Sequence, residues 1–328
     1  MPNSEPAPPV TIGIDLGGTQ VRAGLVRDGT VLARAARPTD TAGGPQGVLA
    51  QIDTLITEIE AGADVTPVGI GVCAPGPLDS LTGVVIDIPT LPGWQNFPVR
   101  DAIGDRYGLP AVLENDGIAA AFGEWRFGAG REVQNLIYVT VSTGIGGGVI
   151  ADGRLLRGRR GMAGHVGHLR LAPDGPRCPC GGAGCFEACA SGSALGRRAR
   201  DAAVLSGGFL AEAAKRERVE ARHVVAGARA GDPTCRALLG EEADYLAQGF
   251  ISLVHLFSPE LIVLGGGVSQ AFDLIGDRIV AGVREGVMPA FRDVRIVAAA
   301  LGDNCGLIGA AALATQFGEA LPPTKGSS

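Results

Sequence analysis

One imidazole and three thiols stand close together in the middle of the chain. His168 is followed by Cys178, Cys180 and Cys185 in the pattern H-x9-C-x-C-x4-C, with glycines between the last two thiols. One histidine and three cysteines suit tetrahedral zinc, and glycine allows a tight turn between sulfurs. Buried free cysteines are the alternative, but three within eight residues are unusual for a core. The pattern predicts zinc, and with no ligand position left open the metal would be structural.

Three glycine-rich turns follow apolar runs of the chain. They are Asp15-Leu16-Gly17-Gly18-Thr19, Thr143-Gly144-Ile145-Gly146-Gly147-Gly148 and Gly265-Gly266-Gly267. Glycines let backbone N–H groups turn inward as an anion-binding nest, and a carboxylate such as Asp15 can orient a magnesium ion or its waters. Ordinary hairpin turns would also use glycine. Three such turns along one chain favour a nucleotide site.

The tripeptide Glu114-Asn115-Asp116 stands at the end of an apolar run and before a helical stretch. Asn115 or Asp116 could simply cap that helix. An aspartate at the carboxyl end of a strand can also accept a proton from a substrate hydroxyl. The two roles are compatible, because a helix N-terminus keeps a carboxylate ionised.

Apolar patterning supplies the elements that would position these residues. Runs typical of strands begin near Thr11, Val21, Val31, Val68 and Ala111, and apolar residues from Val48 to Ile59 recur at helical spacing. A second series begins near Asn135, with two strands around a glycine turn, a long helix and the strand Leu261–Leu264. Alternating strands and helices predict an α/β fold, and the two halves look like a distant duplication.

Composition narrows the classes of protein. The 328 residues carry a net charge of −6, which argues against nucleic acid as a partner. No apolar run approaches the roughly 18 residues that a membrane span needs, and the proline-rich first nine residues do not resemble a signal peptide. We therefore expect a cytoplasmic protein without a membrane partner. Its remaining cysteines are then packed thiols rather than disulfides; they are Cys73, Cys189, Cys235 and Cys305.

These motifs, together with Ala74-Pro75-Gly76-Pro77-Leu78-Asp79, occur in the order found in the ROK family of sugar kinases, which the chain resembles from about residue 11 to about residue 316. The resemblance implies a two-lobed, actin-like (RNase H-like) α/β ATPase and sugar kinase fold with a zinc knuckle. The implied parts are a tail (1–9), an N-terminal lobe with the catalytic aspartate (10–128), a C-terminal lobe with the zinc knuckle and nucleotide site (129–305) and a helix that packs back on the N-terminal lobe (306–319). The cleft would lie between the lobes.

The resemblance also implies the reaction and its residues. ATP, Mg²⁺ and structural Zn²⁺ would be the cofactors, a hexose would be phosphorylated at O6, and Asp116 would be the base. The sugar would contact Gly76, Thr90, Asn115, Asp116, His165, His168 and Glu187, with His168 also a zinc ligand. The nucleotide would lie along Asp15, Gly17, Gly18, Thr19, Thr143, Gly144, Gly146, Gly265, Gly266 and Gly267. We expect a homo-oligomer, either a dimer or a tetramer.

Three positions depart from the family pattern. Gln20 stands where many members have lysine, and Thr90 stands where a sugar-binding asparagine is common. His165 replaces the glutamate typical of glucokinases, whereas bacterial N-acetylmannosamine kinases carry a histidine there. The sugar thus stays open between glucose, N-acetylmannosamine and other N-acetylhexosamines. A loop histidine without substrate contact is the alternative for His165.

Two other classes of protein fit the sequence less well. Sugar-responsive ROK repressors carry a helix-turn-helix before the first glycine turn, and only about ten residues precede that region here. An intact Asp116 argues against a sugar-binding module without catalysis. The arginines that precede His165 predict a solvated face; they are Arg154, Arg157, Arg159 and Arg160.

Overall fold

The computed structural model describes residues 7–88 and 91–317, in which strands and helices alternate. The strands, numbered in chain order, are β1 (Val10–Leu16), β2 (Gln20–Arg27), β3 (Thr30–Pro38), β4 (Pro67–Ala74), β5 (Leu78–Asp79), β6 (Val84–Val85), β7 (Ala111–Asn115), β8 (Leu136–Val141), β9 (Ile145–Ala151), β10 (Arg154–Leu155), β11 (Leu261–Gly265) and β12 (Arg295–Ala298). The helices are α1 (Gly44–Glu60), α2 (Val99–Tyr107), α3 (Asp116–Phe127), α4 (Phe186–Ala190), α5 (Gly192–Ser206), α6 (Gly208–Ala214), α7 (Ala221–Arg229), α8 (Pro233–Phe257), α9 (Phe272–Gly286) and α10 (Cys305–Phe317). The α/β class predicted from the sequence is confirmed.

The described residues form two compact units. The first takes the chain up to Arg131, the segment Leu155–Gly164 and the chain from Asp303 onward; the second takes the residues in between. Residues 155–164 fall within the range 129–305 that the sequence predicts for the C-terminal lobe, but they belong to the first unit. They pack within the first unit because the Ser80 N–H donates to the Arg160 carbonyl at 3.1 Å and Arg157 forms an ion pair there.

The sheet of the first unit has the strand order β3-β2-β1-β4-β7. β1, β2 and β3 form an antiparallel meander, whereas β1, β4 and β7 run parallel. The buried side of α1 supplies Val48, Ile52 and Leu55 to the main core of this unit. Parallel strands end at one edge of a sheet, so residues that follow β1, β4 and β7 are brought together.

The C-terminal helix α10 packs on β1, β4 and α3 within the first unit. Glycines allow its backbone to come unusually close to the strands. A Cβ atom at Gly13 would lie 2.2 Å from the Leu307 carbonyl oxygen, and one at Gly71 would lie 1.8 Å from that of Ala310. Any side chain at these positions would push the helix away, so glycine is required by close approach rather than by a turn.

The sheet of the second unit has the order β10-β9-β8-β11-β12. β8 and β9 form an antiparallel hairpin, and β11 lies parallel to both β8 and β12. This is the strand arrangement of the first unit repeated, as the sequence duplication suggested. The long helix α8 buries Leu239, Leu246 and Phe250 and leads directly into β11.

No helix within residues 7–88 and 91–317 combines the length and the apolar character that crossing a membrane requires.

Candidate active site

The predicted residues of the first unit meet at the edge where its parallel strands end. Asp15 lies near the end of β1, Cys73 lies near the end of β4, and Asp116 follows β7. The pairing register places Cys73 opposite Asp15 on the adjacent strand. Cys73 is fully buried, and its thiol lies 3.5 Å from Asp15 Oδ1. Cys73 is therefore a packed thiol, as the sequence predicts, and it also contacts Asp15.

Asp116 is held at the first turn of α3. Asn115 caps this helix, because its Oδ1 accepts the N–H groups of Gly117 at 3.1 Å and Ile118 at 3.4 Å. The Asp116 Oδ1 also accepts the Gly117 N–H, at 2.7 Å. Capping therefore falls to Asn115, while the Asp116 carboxylate is held in the same turn by the Gly117 N–H.

Burial and, to a smaller extent, the charge of Asp15 raise the pKa of Asp116 to about 6, although the hydrogen bond from the Gly117 N–H opposes this rise. A carboxylate with this pKa is ionised at neutral pH but is a stronger base than an exposed aspartate. That balance is what a general base for a hydroxyl proton requires. Burial also raises the pKa of Asp15, against the opposing charge of Arg22.

The turn Gly17–Thr19 joins β1 to β2. The Gly17 N–H donates to the Gln20 carbonyl at 2.9 Å, and the Thr39 hydroxyl donates to the Gly17 carbonyl at 2.7 Å. The N–H of Gly17 thus closes the hairpin, as in an ordinary tight turn. An anion at this turn would have to use the N–H groups of Gly18 and Thr19.

Glu114 and Arg157 of the first unit, to which the sequence assigns no functional role, form an ion pair in which the glutamate is buried. Arg157 Nη2 lies 3.0 Å from Glu114 Oε2, and the Glu114 side chain is only 1% exposed. Glu114 Oε1 accepts the Asn115 N–H at 3.0 Å. The prediction of a solvated face is therefore wrong for Arg157, although Arg159 and Arg160 are exposed. The pair ties the segment 155–164 to β7, the strand that immediately precedes Asp116.

Two sugar-binding predictions concern the chain after β4. Gly76 lies in the segment between β4 and β5, where the Pro77 carbonyl accepts the N–H groups of Ile86 at 3.0 Å and Asp87 at 3.2 Å. These bonds fix the turn that contains Gly76. Thr90 lies outside the described residues.

In the second unit, the four predicted metal ligands come together. One ligand atom from each of His168, Cys178, Cys180 and Cys185 lies within 4.8 Å of all the others. Cys178 Sγ lies 3.8 Å from His168 Nδ1, and Cys180 Sγ lies 3.7 Å from Cys185 Sγ. Three thiols and one imidazole at such separations are a donor set that fits a tetrahedral metal ion. Cys189 is buried outside this cluster, as predicted.

Glu187 connects this cluster to the second glycine turn. Its Oε2 accepts the Ile145 N–H at 2.9 Å, and its Oε1 lies 3.8 Å from Cys178 Sγ. A Cβ atom at Gly144 would lie 2.4 Å from Glu187 Oε2, so a larger residue here would displace this carboxylate. Gly144 thus leaves space for the Glu187 carboxylate in addition to forming part of the turn.

His165 immediately precedes a 3-10 turn over Val166–His168, and His168 is its last residue. The centroids of the two imidazole rings are 6.4 Å apart. A Cβ at Gly167 would lie 2.0 Å from the Ile145 carbonyl oxygen, so this turn packs directly on β9. Loss of hydration, together with the nearby His168, lowers the pKa of His165. Both effects favour the neutral form of the His165 ring.

The third glycine turn follows β11. Gly266 has a φ of 81°, which favours glycine, and a Cβ there would lie 2.5 Å from the Val141 carbonyl oxygen. Since β8 and β11 are parallel neighbours, the turns after them lie at the same edge of the second sheet. Thr143, Gly144 and Gly146 thus share that edge with Gly265–Gly267.

The family model described as "ROK family" matches residues 11–317. A glucokinase of Thermotoga maritima is 37% identical over 306 residues, which are 92% of this chain and 96% of that protein. An N-acetylmannosamine kinase of Yersinia pseudotuberculosis is 33% identical over 301 residues, again 92% of this chain and 96% of the relative.

Among solved structures, the chain is similar to a ROK family glucokinase from Streptomyces griseus in complex with glucose and AMPPNP. The TM-score is 0.83 at 37% sequence identity, covering 94% of this chain and 99% of that one.

The buried ion pair leads to a prediction about stability. Replacing Arg157 by Met leaves the Glu114 carboxylate buried without its counter-charge, which costs about 3–5 kcal/mol for such a pair. Burial already raises the pKa of Glu114, and Arg157 opposes this rise. Without the arginine the folded pKa rises further, so the stability that the variant loses should grow as pH increases through that range.

Urea unfolding of both proteins at pH 5 and pH 8 measures the effect. The Arg159→Met variant is the matched control, because this neighbouring arginine is exposed. An Arg157→Met protein as stable as the control at pH 8 would show that the pair contributes nothing to the fold.

Proposed function

Because the chain belongs to the ROK family, we propose that it is an ATP-dependent hexose kinase in which Asp116 is the catalytic base. The observation that supports this role for Asp116 most strongly is its environment: a carboxylate at the first turn of α3 with a pKa of about 6. Asp116 is half-buried beside the charge of Asp15, which a helix cap alone does not require.

The proposed reaction is transfer of the γ-phosphoryl group to a primary hydroxyl of the sugar, O6. Asp116 accepts the hydroxyl proton as the oxygen attacks the phosphorus in line, and the γ-phosphoryl bond to ADP breaks. Kinases achieve most of their rate through positioning and charge stabilisation rather than through covalent steps. The Gly117 N–H fixes one oxygen of Asp116 and thereby directs the other one to the proton.

Asn115 is proposed to bind a sugar hydroxyl beside Asp116. Its Oδ1 already accepts two N–H groups of α3, so its amide nitrogen would be the part that donates to the sugar. Gly76, Thr90, His165, His168 and Glu187 complete the sugar contacts that we propose.

Nucleotide binding is proposed for the three glycine turns at Asp15–Thr19, Thr143–Gly146 and Gly265–Gly267. Asp15 would hold the Mg²⁺ that accompanies ATP, or its waters, and this ion would neutralise charge on the phosphates. The backbone N–H groups of the turns supply further donors.

The cluster in the second unit is proposed to hold structural zinc through His168, Cys178, Cys180 and Cys185. The donor set and the mutual separations within 4.8 Å both fit zinc. Zinc would fix the His168 ring and the 3-10 turn that carries His165. Glu187, which touches the cluster and the second glycine turn, would then be held in place as well.

His165 is proposed to broaden sugar acceptance toward 2-acetamido hexoses. A glutamate would offer only acceptors to hydroxyl groups, whereas a neutral imidazole offers one donor and one acceptor. The reduced pKa of His165 keeps the ring in that neutral form. Relatives named glucokinase and N-acetylmannosamine kinase both match over 92% of the chain, which is consistent with a pocket that differs at few positions.

Replacing Asp116 by Asn tests the catalytic base. The asparagine keeps the shape but cannot accept the proton, so kcat should fall by about 10²–10⁴-fold while the KM of the sugar changes little. A coupled assay over glucose, mannose, glucosamine, N-acetylglucosamine and N-acetylmannosamine measures both, with Asp64→Asn on an exposed turn as the control. Turnover near the wild-type rate would show that Asp116 is a structural residue and not the catalytic base.

The pH profile provides a second measurement on the same group. Only the ionised carboxylate accepts a proton, and its pKa is about 6. We expect kcat/KM to be flat above that pH and to fall about tenfold per unit below it. Folding raises this pKa above its ordinary value, so the ionised group costs stability as pH rises. The Asp116→Asn protein should therefore be at least as stable as wild type at pH 8.

Metal removal tests the zinc cluster. Elemental analysis should find one zinc per chain, and Cys180→Ser should lose it and raise the KM of the sugar about tenfold or more. Cys235→Ala removes a buried thiol of α8 outside the cluster and should keep the metal. Full activity of the metal-free, chelated protein would rule out this role.

The sugar preference is tested by His165→Glu. The variant should raise the preference for glucose over N-acetylmannosamine by about 1–3 kcal/mol, the worth of one polar contact. The ratio of the two kcat/KM values in wild type and variant measures this, and His255→Glu at an exposed position of α8 is the control. An unchanged ratio would mean that His165 does not contact the substrate.

A further inference from the structure

Asp15 is held from both sides by its neighbouring strands. The register of the sheet places Arg22 of β2 and Cys73 of β4 opposite it. Arg22 Nη1 lies 3.1 Å from Asp15 Oδ2, and Cys73 Sγ lies 3.5 Å from Asp15 Oδ1. Each carboxylate oxygen thus has its own partner, and the Asp15 side chain is only 20% exposed.

Gln20 holds Arg22 in turn. The two residues are two positions apart on β2, so their side chains lie on the same face of the strand. Gln20 Oε1 accepts the Arg22 Nε–H at 2.7 Å, and the Asp303 carbonyl accepts from Arg22 Nη1 at 3.1 Å. Both of these acceptors are neutral. The guanidinium is therefore oriented without being neutralised, and its charge is directed to Asp15.

We propose that Arg22 is a positioning residue for phosphoryl transfer: oriented by the neutral acceptor Gln20, it fixes the carboxylate of Asp15. The proposal rests on the kinase function proposed above, in which Asp15 holds the magnesium ion of the nucleotide. Arg22 then affects turnover only through Asp15, whose carboxylate it orients and helps to keep ionised.

The chemistry of the three side chains explains why these residue types occur together. The planar fork of arginine has five N–H donors and reaches Gln20, Asp15 and the Asp303 carbonyl at once, which a lysine ammonium on a flexible stem cannot do. A glutamate at position 20 would accept the same hydrogen bond but would compete with Asp15 for the charge. A lysine there would place a second cation beside the guanidinium.

A kinetic double-mutant cycle tests the proposal. The proteins are wild type, Arg22→Met, Asp15→Asn and the double variant, with kcat and the KM of ATP and of the sugar measured separately. Arg22→Met should lower kcat about 10–100-fold, the effect of a misplaced catalytic group, and leave the KM of the sugar within about twofold. The double variant should be no slower than Asp15→Asn alone. Losses that multiply would overturn the proposal, because Arg22 would then act independently of Asp15.

The Gln20 variants separate orientation from charge. Gln20→Met removes the acceptor at similar length and should cost only a few fold in kcat, because the ion pair survives. Gln20→Glu keeps the acceptor but competes for the guanidinium, so it should cost more than Gln20→Met. Equal activity of Gln20→Glu and wild type would contradict the proposal. Arg284→Met, at an exposed position of α9, controls for the loss of a positive charge.

Equilibrium unfolding provides a readout that needs no turnover. Arg22→Met and Asp15→Asn should be non-additive in the free energy of unfolding measured with urea, because each removes the same ion pair. Additive effects in an active kinase would overturn this inference alone. Non-additive effects in a protein that phosphorylates none of the sugars would instead overturn the proposed function, and with it the role of Arg22 in phosphoryl transfer.

Discussion

The first unit is organised by the need to keep two carboxylates ionised at one edge of a sheet. Asp15 and Asp116 lie where parallel strands end, and burial raises the pKa of both. Two nearby carboxylates in a part-buried site tend to share one proton unless other groups stabilise the second charge. The N–H of Gly117 and the guanidinium of Arg22 supply that stabilisation. The helix that begins at residue 116 and the hairpin that carries Arg22 are thus parts of one electrostatic arrangement.

Close packing in the second unit depends instead on glycines, which have no side chain. Gly144 makes room for the Glu187 carboxylate, and Gly167 allows the turn before His168 to lie on β9. Gly266 brings the turn after β11 against Val141 in the same way. Close approach therefore explains why glycine stands at these three positions, whereas other glycines, such as Gly181 and Gly207, have a positive φ and open space around them. The cluster of His168 and three cysteines and the second glycine turn form one packed region because Glu187 contacts both.

Much of this arrangement could be predicted from the sequence, because it follows from local patterns. Apolar spacing predicted β1–β4, β7–β9, β11, α1 and α8, but it did not predict α2, α5, α6, α7, α9 or β12. The cluster of thiols needed only the spacing of His168 and three cysteines. Pairs that form over long separations could not be predicted. Arg157 looked like one of several exposed arginines, and its partner lies 43 residues away. Arg22 and Cys73 find Asp15 only through sheet register, which apolar periodicity alone does not specify.

The contact between α10 and the glycines of β1 and β4 also governs the order in which the chain can reach its structure. The first unit uses the start of the chain, a short internal segment and residues from Asp303 onward. During synthesis its sheet emerges first, yet the face that receives α10 stays uncovered until residues 305–317 have left the ribosome. The second unit, which ends at Gly302, is complete before that helix is available. The first unit, whose sheet is synthesised first, is therefore completed after the second unit.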